Sequence, residues 1–324
     1  MGKLHISPTP HIHQKGSSTR NIMLDVVIAL LPATVAGIII FGLQALWVVL
    51  TCVASAVLSE VIFNLIARKK QTVGDFSAVV TGLLLGLNLS INVPLWQCAL
   101  GSIFAIVVVK CFFGGLGKNI VNPAIAARVF MLLTFGSVAA AVQIAPLFDL
   151  SFLGQAVPEI AAGATPLASL NAGVEGAANA PSVLQLLVGA HGGTIGETCA
   201  IALLIGFAYL VFRKVIKWYV PASYIATVFA CYLVFGGFNF EFALQHVLAG
   251  GLLLGAIFMA TDYVTTPNTG KGRVLFCVGA GLLTFAIRQF GTFPEGVSIA
   301  ILTMNLLTPF ISSWTRKKTL GGVR

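Results

Sequence analysis

The chain has 324 residues, of which 57% are apolar and 9% charged, with a mean hydropathy of +0.96; soluble domains carry about 25% charged residues, so an ordinary soluble fold is excluded. The formal net charge of +9 comes from short basic clusters between apolar blocks, with no basic face or stacking platform, which removes nucleic acid as the partner. The blocks run to about 20 residues, enough to cross roughly 30 Å of hydrocarbon, and the class that remains is an all-α membrane protein.

Residues 1–21 form a polar, cytoplasmic N-terminal segment carrying His11 and His13. Two histidines are too few for a metal site, and interfacial packing is the favoured reading. The next block starts near Ile22 without a small-residue cleavage site and reads as a retained span. Ten candidate spans follow, at roughly 22–41, 45–67, 76–92, 95–113, 122–140, 196–212, 220–236, 244–261, 274–288 and 296–312. They divide the chain into a first membrane repeat (22–140), a long extracytoplasmic loop (141–195), a second membrane repeat (196–312) and a cytoplasmic tail (313–324). If all ten cross, every Lys and Arg except Arg128 and Arg288 falls on one side, which places both termini in the cytoplasm by the positive-inside rule. No basic residue occurs from Val129 to Phe212, so the loop is predicted outside.

Two stretches read alike: Gly82-Leu-Leu-Leu-Gly86 followed by Lys110 to Gly114, and Gly251-Leu-Leu-Leu-Gly255 followed by Arg288 to Gly291. Five spans per half is an odd number, so the second half is predicted to enter the membrane the other way up, as in folds with inverted repeats. The glycine pairs are read as close helix contacts. Helix is interrupted by Gly, Pro and Asn at Gly114–Pro123 and at Thr261–Gly270; each is either an ordinary cytoplasmic turn or a break at membrane depth, where the backbone needs protein or a polar cavity to satisfy it. Asp25, Glu60 and Asp262 lie in or at the ends of apolar blocks, where carboxylates are costly; they are candidates for an ion pathway. Arg128 and Lys118 are further cations of undecided role. The six cysteines are scattered without metal-ligand spacing and read as small buried hydrophobes.

Ser7-Pro-Thr-Pro-His11, Ser18-Thr-Arg-Asn-Ile-Met23, Ala29-Leu-Leu-Pro-Ala33, Phe113 to Asn119 with Asn122-Pro-Ala124, and Met259-Ala-Thr-Asp-Tyr-Val-Thr265 together resemble the RnfD/NqrB family along nearly the whole chain. The short segment before the first span is more similar to the D-type branch of the Rnf complexes than to the quinone-reducing branch. The resemblance implies an integral membrane flavoprotein subunit of an ion-translocating ferredoxin:NAD+ oxidoreductase in a bacterial or archaeal cytoplasmic membrane. It implies covalent FMN, joined through its phosphate to a threonine in an acidic-x-x-Ser/Thr-Gly-Ala-Thr sequence. The matching stretch runs from Glu159 to Gly163, Ala164 and Thr165, with Glu159 for the usual Asp and Ala162 for the usual Ser or Thr. Thr165 is the expected attachment residue. A second, noncovalent flavin, riboflavin, is also implied as possible. The implied partners are the other Rnf subunits, namely the iron–sulfur membrane pair RnfA and RnfE, the flavin-bearing RnfG and the cytoplasmic RnfB and RnfC, together with a flavin transferase during maturation. Two rival readings stay open: the NqrB-type component of a quinone-reducing, Na+-translocating NADH dehydrogenase, and a urea-channel-like solute transporter.

Overall fold

The computed structural model describes residues 18–136, 166–171, 180–189, 191–291 and 296–316, and every regular element among them is helical. Helix α1 (Thr19–Phe41) starts where the Ser18 hydroxyl accepts from the Asn21 N–H, a standard N-cap. Gly42, at φ +77°, both ends α1 and precedes α2 (Leu43–Ile66); a left-handed φ is cheap only for glycine, and it lets two long apolar helices meet at one residue. Next come α3 (Ser77–Leu87) and α4 (Leu95–Ile103), which continues as a π-helical segment, Phe104–Cys111. The Asn122 side chain caps α5 (Pro123–Thr134), accepting from the N–H groups of Ala124 and Ile125, with Pro123 in the first helical position. The Asn-Pro-Ala sequence is therefore a helix start of the expected kind.

Two short helices follow, α6 (Pro166–Leu170) and α7 (Val183–Val188), the latter with a Ser182/Gln185 capping box. The second half contains α8 (Ala200–Phe212), α9 (Tyr219–Phe235), α10 (Phe240–Leu248), the single turn α11 (Leu252–Leu254) running into a π segment, Gly255–Met259, then α12 (Gly270–Phe290) and α13 (Val297–Trp314). Within the first half α2 packs on α3 and α4; within the second α9 packs on α10 and α12. Across the halves α1 meets α8 and α5 meets α13. Apolar side chains from both halves join one buried core.

The ten uniform blocks resolve into unequal pieces. Four helices, α1, α2, α12 and α13, are long and apolar enough to cross a membrane, and the α10–α11 pair makes a fifth only if its 67° bend is counted as one broken span. Helix α3 has 11 residues, about 16 Å at 1.5 Å per residue, so block 76–92 is not one continuous crossing helix. Block 244–261 is broken in the same way. The turn between α3 and α4 reads Asn88-Leu-Ser-Ile-Asn-Val-Pro94; Leu89 and Ile91 carry the apolar block past the end of α3. The carbonyls left open at the end of α3 are taken by distant backbone: Gly196 N–H donates to Leu87 O at 2.7 Å and Ile195 N–H to Leu89 O at 3.1 Å. In a low-dielectric interior such groups must be satisfied by protein. Most of 141–195 lies outside the described residues, but Leu167, Leu170 and Leu186 from α6 and α7 are in the core, so the connecting segment is partly structural.

The repeated glycines behave differently in the two copies. A Cβ at Gly82 would lie 2.7 Å from Val53 Cα and 2.8 Å from Cys52 O, and one at Gly86 3.1 Å from Val49 Cα. The first copy is therefore a backbone-to-backbone contact with α2, as read from the sequence. In the second copy, Gly255 faces the Val297 side chain and Gly251 faces Glu197.

Candidate functional site

The two interrupted segments come together. A cleft is lined by α1 at Ile22 and Val26, α3 at Ser77 and Thr81, Lys110, the first interrupted segment at Leu116, Asn119 and Asn122, and the second at Thr261 to Val264. An apolar wall with a few polar groups is the usual composition of a small-molecule site. Asn305 on α13 sits between the two segments: with its amide turned to the orientation that satisfies both neighbours, its nitrogen donates to Thr265 O at 3.2 Å and its oxygen accepts from Asn122 N–H at 3.2 Å. Thr308, one turn on, donates to the same Thr265 carbonyl at 2.8 Å.

Asp262 lines this cavity. Its carboxylate accepts from the Thr265 hydroxyl at 2.9 Å and the Val264 N–H at 3.3 Å, and so organises the turn that follows the π segment. Glu60 is 1% exposed and sits behind the cavity wall: its Oε1 accepts from Lys110 Nζ at 2.8 Å and the Thr72 hydroxyl at 2.6 Å. Lys110 also donates to the Ser77 hydroxyl, which in turn donates to Asp75. A line of polar contacts therefore runs from cavity-lining Lys110 and Ser77 to Asp75 at the edge of the first half. By sequence Lys110 counts among the charges that orient the spans; in the structure it is 2% exposed and paired. Its charge is absorbed internally, so the topology argument rests on the other basic clusters.

Asp25 has a different setting. It receives Arg213 through both carboxylate oxygens, Nε at 3.2 Å and Nη2 at 3.3 Å, and the Tyr209 hydroxyl at 2.9 Å. This brace joins α1 to the end of α8. Arg128 is buried in α5, and Lys118 is exposed beside Gly114. Thr165, Gly163, Ala164, His11 and His13 lie outside the described residues; Thr165 immediately precedes Pro166, the first residue of α6. Four of the cysteines, Cys52, Cys98, Cys111 and Cys277, are buried, and all six are free thiols.

Sequence reasoning missed Asn305 and the Glu60–Lys110 pairing. A lone amide in an apolar span is a legible signal, and so is a basic residue at a repeat landmark opposite a buried acid. The partner assignment itself needs the three-dimensional path of α4.

The family model for NQR2, RnfD and RnfE matches residues 5–321. The chain belongs to that family. It is 44% identical over 98% of its length to the D component of the Na(+)-translocating ferredoxin:NAD(+) oxidoreductase complex of Acetobacterium woodii, covering 95% of that protein. It is 38% identical, again over 98% of its length, to the D component of the proton-translocating ferredoxin:NAD(+) oxidoreductase complex of Clostridium ljungdahlii, covering 96% of it. A third relative, the D component of the ion-translocating oxidoreductase complex of Stutzerimonas stutzeri, is 35% identical over 94% of this chain and 93% of its own. The names of the first two relatives carry different ions, so overall similarity is no guide to the ion. This family member is, with its apolar helices, a multi-pass membrane protein.

Proposed function

We propose that this chain is the D-type membrane subunit of an ion-translocating ferredoxin:NAD+ oxidoreductase complex. The observation that carries the reading is similarity to the Acetobacterium woodii protein across 98% of the chain, which a shared local motif would not produce. The fuller architecture is ten crossings in two inverted five-helix repeats, α3 and the broken α10–α11 being the corresponding incomplete elements, with both termini in the cytoplasm. Electrons pass from ferredoxin to NAD+ through the iron–sulfur proteins RnfA and RnfE, the flavin-bearing RnfG and the cytoplasmic RnfB and RnfC, with this chain as an internal relay.

Thr165, next to Gly163 and Ala164 on the extracytoplasmic side, is the residue that carries FMN as a phosphoester, installed by a flavin transferase. The cleft between the interrupted segments is the place we assign to a second, noncovalent flavin such as riboflavin. Asn119 supports that assignment: it lines the cavity, and its Oδ1 is buried and has no hydrogen-bond partner among the described residues, so it offers an acceptor to a ring N–H. Bound flavin supplies the one- and two-electron chemistry that side chains lack. The chain's own contribution is to orient the ring through Asn119 and Asn122, to keep the apolar wall of Ile22, Val26 and Leu84 dry, and to hold a cation at Asp262. A flavin reduced there would add negative charge beside Asp262 and Lys110, which would favour Na+ or H+ at Asp262 and loosen Lys110 from Glu60. Asp25, gripped by Arg213, acts as a brace.

The test is flavin fluorescence of the assembled complex in a denaturing gel. Wild type is expected to retain fluorescence at this subunit and Thr165→Val to lose it. A matured wild-type complex without a fluorescent band would favour the solute-transporter reading, and quinone reduction in place of ferredoxin oxidation would move the chain to the quinone-reducing branch. For coupling, Asp262→Asn and Glu60→Gln complexes are compared in ion transport per electron transferred. Loss is expected for Asp262→Asn, and normal coupling in both removes these residues from the pathway.

A further inference from the structure

A second cleft opens where the turn between α8 and α9 meets the second interrupted segment. It is lined by Lys214, Lys217 and Val220 from the turn and the start of α9, and by Tyr263, Thr266 and Arg273 from the segment and the first turn of α12. The Tyr263 hydroxyl fastens the two parts by donating to Val215 O. Lys214 ends α8 at φ +58°, a left-handed position where glycine is the usual residue. Lys217 lies over the Tyr219 ring, 5.9 Å from its centre, and Arg273 is oriented by its Nε, which donates to Pro267 O at 3.0 Å. No carboxylate pairs with any of the three cations among the described residues. The acids on the neighbouring elements are engaged elsewhere: Asp25 with Arg213 and Tyr209, and Asp262 with Thr265 and the Val264 N–H, lining the first cleft. The second cleft is left with a surplus of positive charge.

Three cations gathered on one cleft repel one another and are stabilised when an anion joins them. Lys214 and Lys217 are exposed and Arg273 is half-buried, so the anion comes from outside the chain, and a guanidinium beside two ammonium groups is a donor set suited to phosphate. The surroundings indicate where that phosphate is carried. Trp218 and Tyr219 follow Lys217 directly, and these two residue types concentrate where a membrane meets water. Phe212, two residues before Lys214, is 84% exposed, and Val274 and Leu275, which follow Arg273, are exposed as well, so each group of cations adjoins apolar surface. By the positive-inside rule this end of α8 faces the cytoplasm, whose leaflet carries anionic lipid, and basic pockets between membrane helices on that side take anionic head groups. We propose that this cleft binds the phosphodiester head group of an anionic phospholipid, held by Lys214, Lys217 and Arg273, with its acyl chains on the exposed apolar surface beside them. The head group bridges the α8–α9 turn and the segment that carries Asp262.

The test titrates the assembled, delipidated complex with dioleoyl phosphatidylglycerol and, in parallel, dioleoyl phosphatidylcholine, and counts retained lipid by native mass spectrometry. Each cation near the membrane surface contributes about fivefold to the binding of an anionic lipid. Lys214→Gln with Lys217→Gln, both at exposed positions, should therefore weaken one phosphatidylglycerol site roughly thirtyfold and leave phosphatidylcholine unchanged. Arg273→Gln should lose about fivefold, and Arg273→Lys, which keeps the charge, should retain the lipid. Lys69→Gln with Lys70→Gln removes the same charge from another exposed cluster and should leave the site intact. Equal loss in that control, equal binding of both lipids by wild type, or an unchanged lipid count in the Lys214/Lys217 variant overturns the proposal. Displacement of the phosphatidylglycerol by millimolar inorganic phosphate overturns it in favour of a free phosphate, and protection of both lysines from acylation in the delipidated complex does so in favour of an acidic protein surface.

Discussion

Lys110 and Arg288 stand at matching landmarks of the two halves, both buried, and they are held by different partners. Lys110 finds Glu60 at 2.8 Å and two hydroxyl-bearing neighbours, Ser77 directly and Thr72 through Glu60. Arg288 donates to two helix-end carbonyls, His246 O and Ala249 O. The same division recurs at the helix breaks: backbone N–H groups of residues 195 and 196 close the end of α3, while a side-chain cation closes the end of α10. A repeated scaffold can thus keep its helices while meeting a buried cation with a carboxylate in one half and with helix-end carbonyls in the other.

The most damaging way to break the contrast is to take the carboxylate from Lys110. Glu60→Ala leaves a buried ammonium unpaired and is expected to cost about 3–5 kcal/mol, read as loss of folded subunit in thermal unfolding in detergent. Adding Lys110→Met to the same chain should recover most of that, because an apolar pair replaces both charges. If the double variant is no better than the single one, the pair is not the source of the loss. The glycine copies sharpen the comparison at a smaller scale. Gly82→Ala drives a Cβ into the α2 backbone and should cost toward the upper part of about 1–3 kcal/mol, whereas Gly255→Ala meets the movable Val297 side chain and should cost visibly less in the same assay. Equal losses would mean that both copies pack alike. Asn305→Ala is expected to cost about 1 kcal/mol, since Thr308 still serves Thr265 O and only the Asn122 N–H loses its acceptor. Smallest of all is Arg213→Gln. This guanidinium is 51% exposed, so water and salt screen its pairing with Asp25, and its shift in unfolding midpoint should vanish at high ionic strength.

The long elements α1, α2, α12 and α13 are legible in the sequence and follow their apolar blocks closely, because lipid-facing and buried positions both favour apolar side chains. Residues 114–122 and 261–269 are non-helical as their composition predicts. The early end of α3 is less legible: Leu89 and Ile91 extend the apolar block to residue 92, while Asn88, Ser90, Asn92 and Pro94 are the turn residues that mark where the helix has already stopped. Glu60 and Asp262 stand out as acids in apolar surroundings, but their settings, one paired and one organising a turn, depend on contacts 50 residues away in one case and three in the other. Lys110 reads as a surface charge because its place among other basic residues gives no sign of burial.

Asn305 has a mechanical consequence. One amide, 1% exposed, bonds both interrupted segments at once, so two loops from opposite halves of the sequence are riveted into a single wall. A displacement of Asn122 at the start of α5 pulls on Thr265, three residues beyond Asp262, without passing through the contents of the cavity. The two walls of the cleft are therefore tied to each other, and α13 is the strut between them.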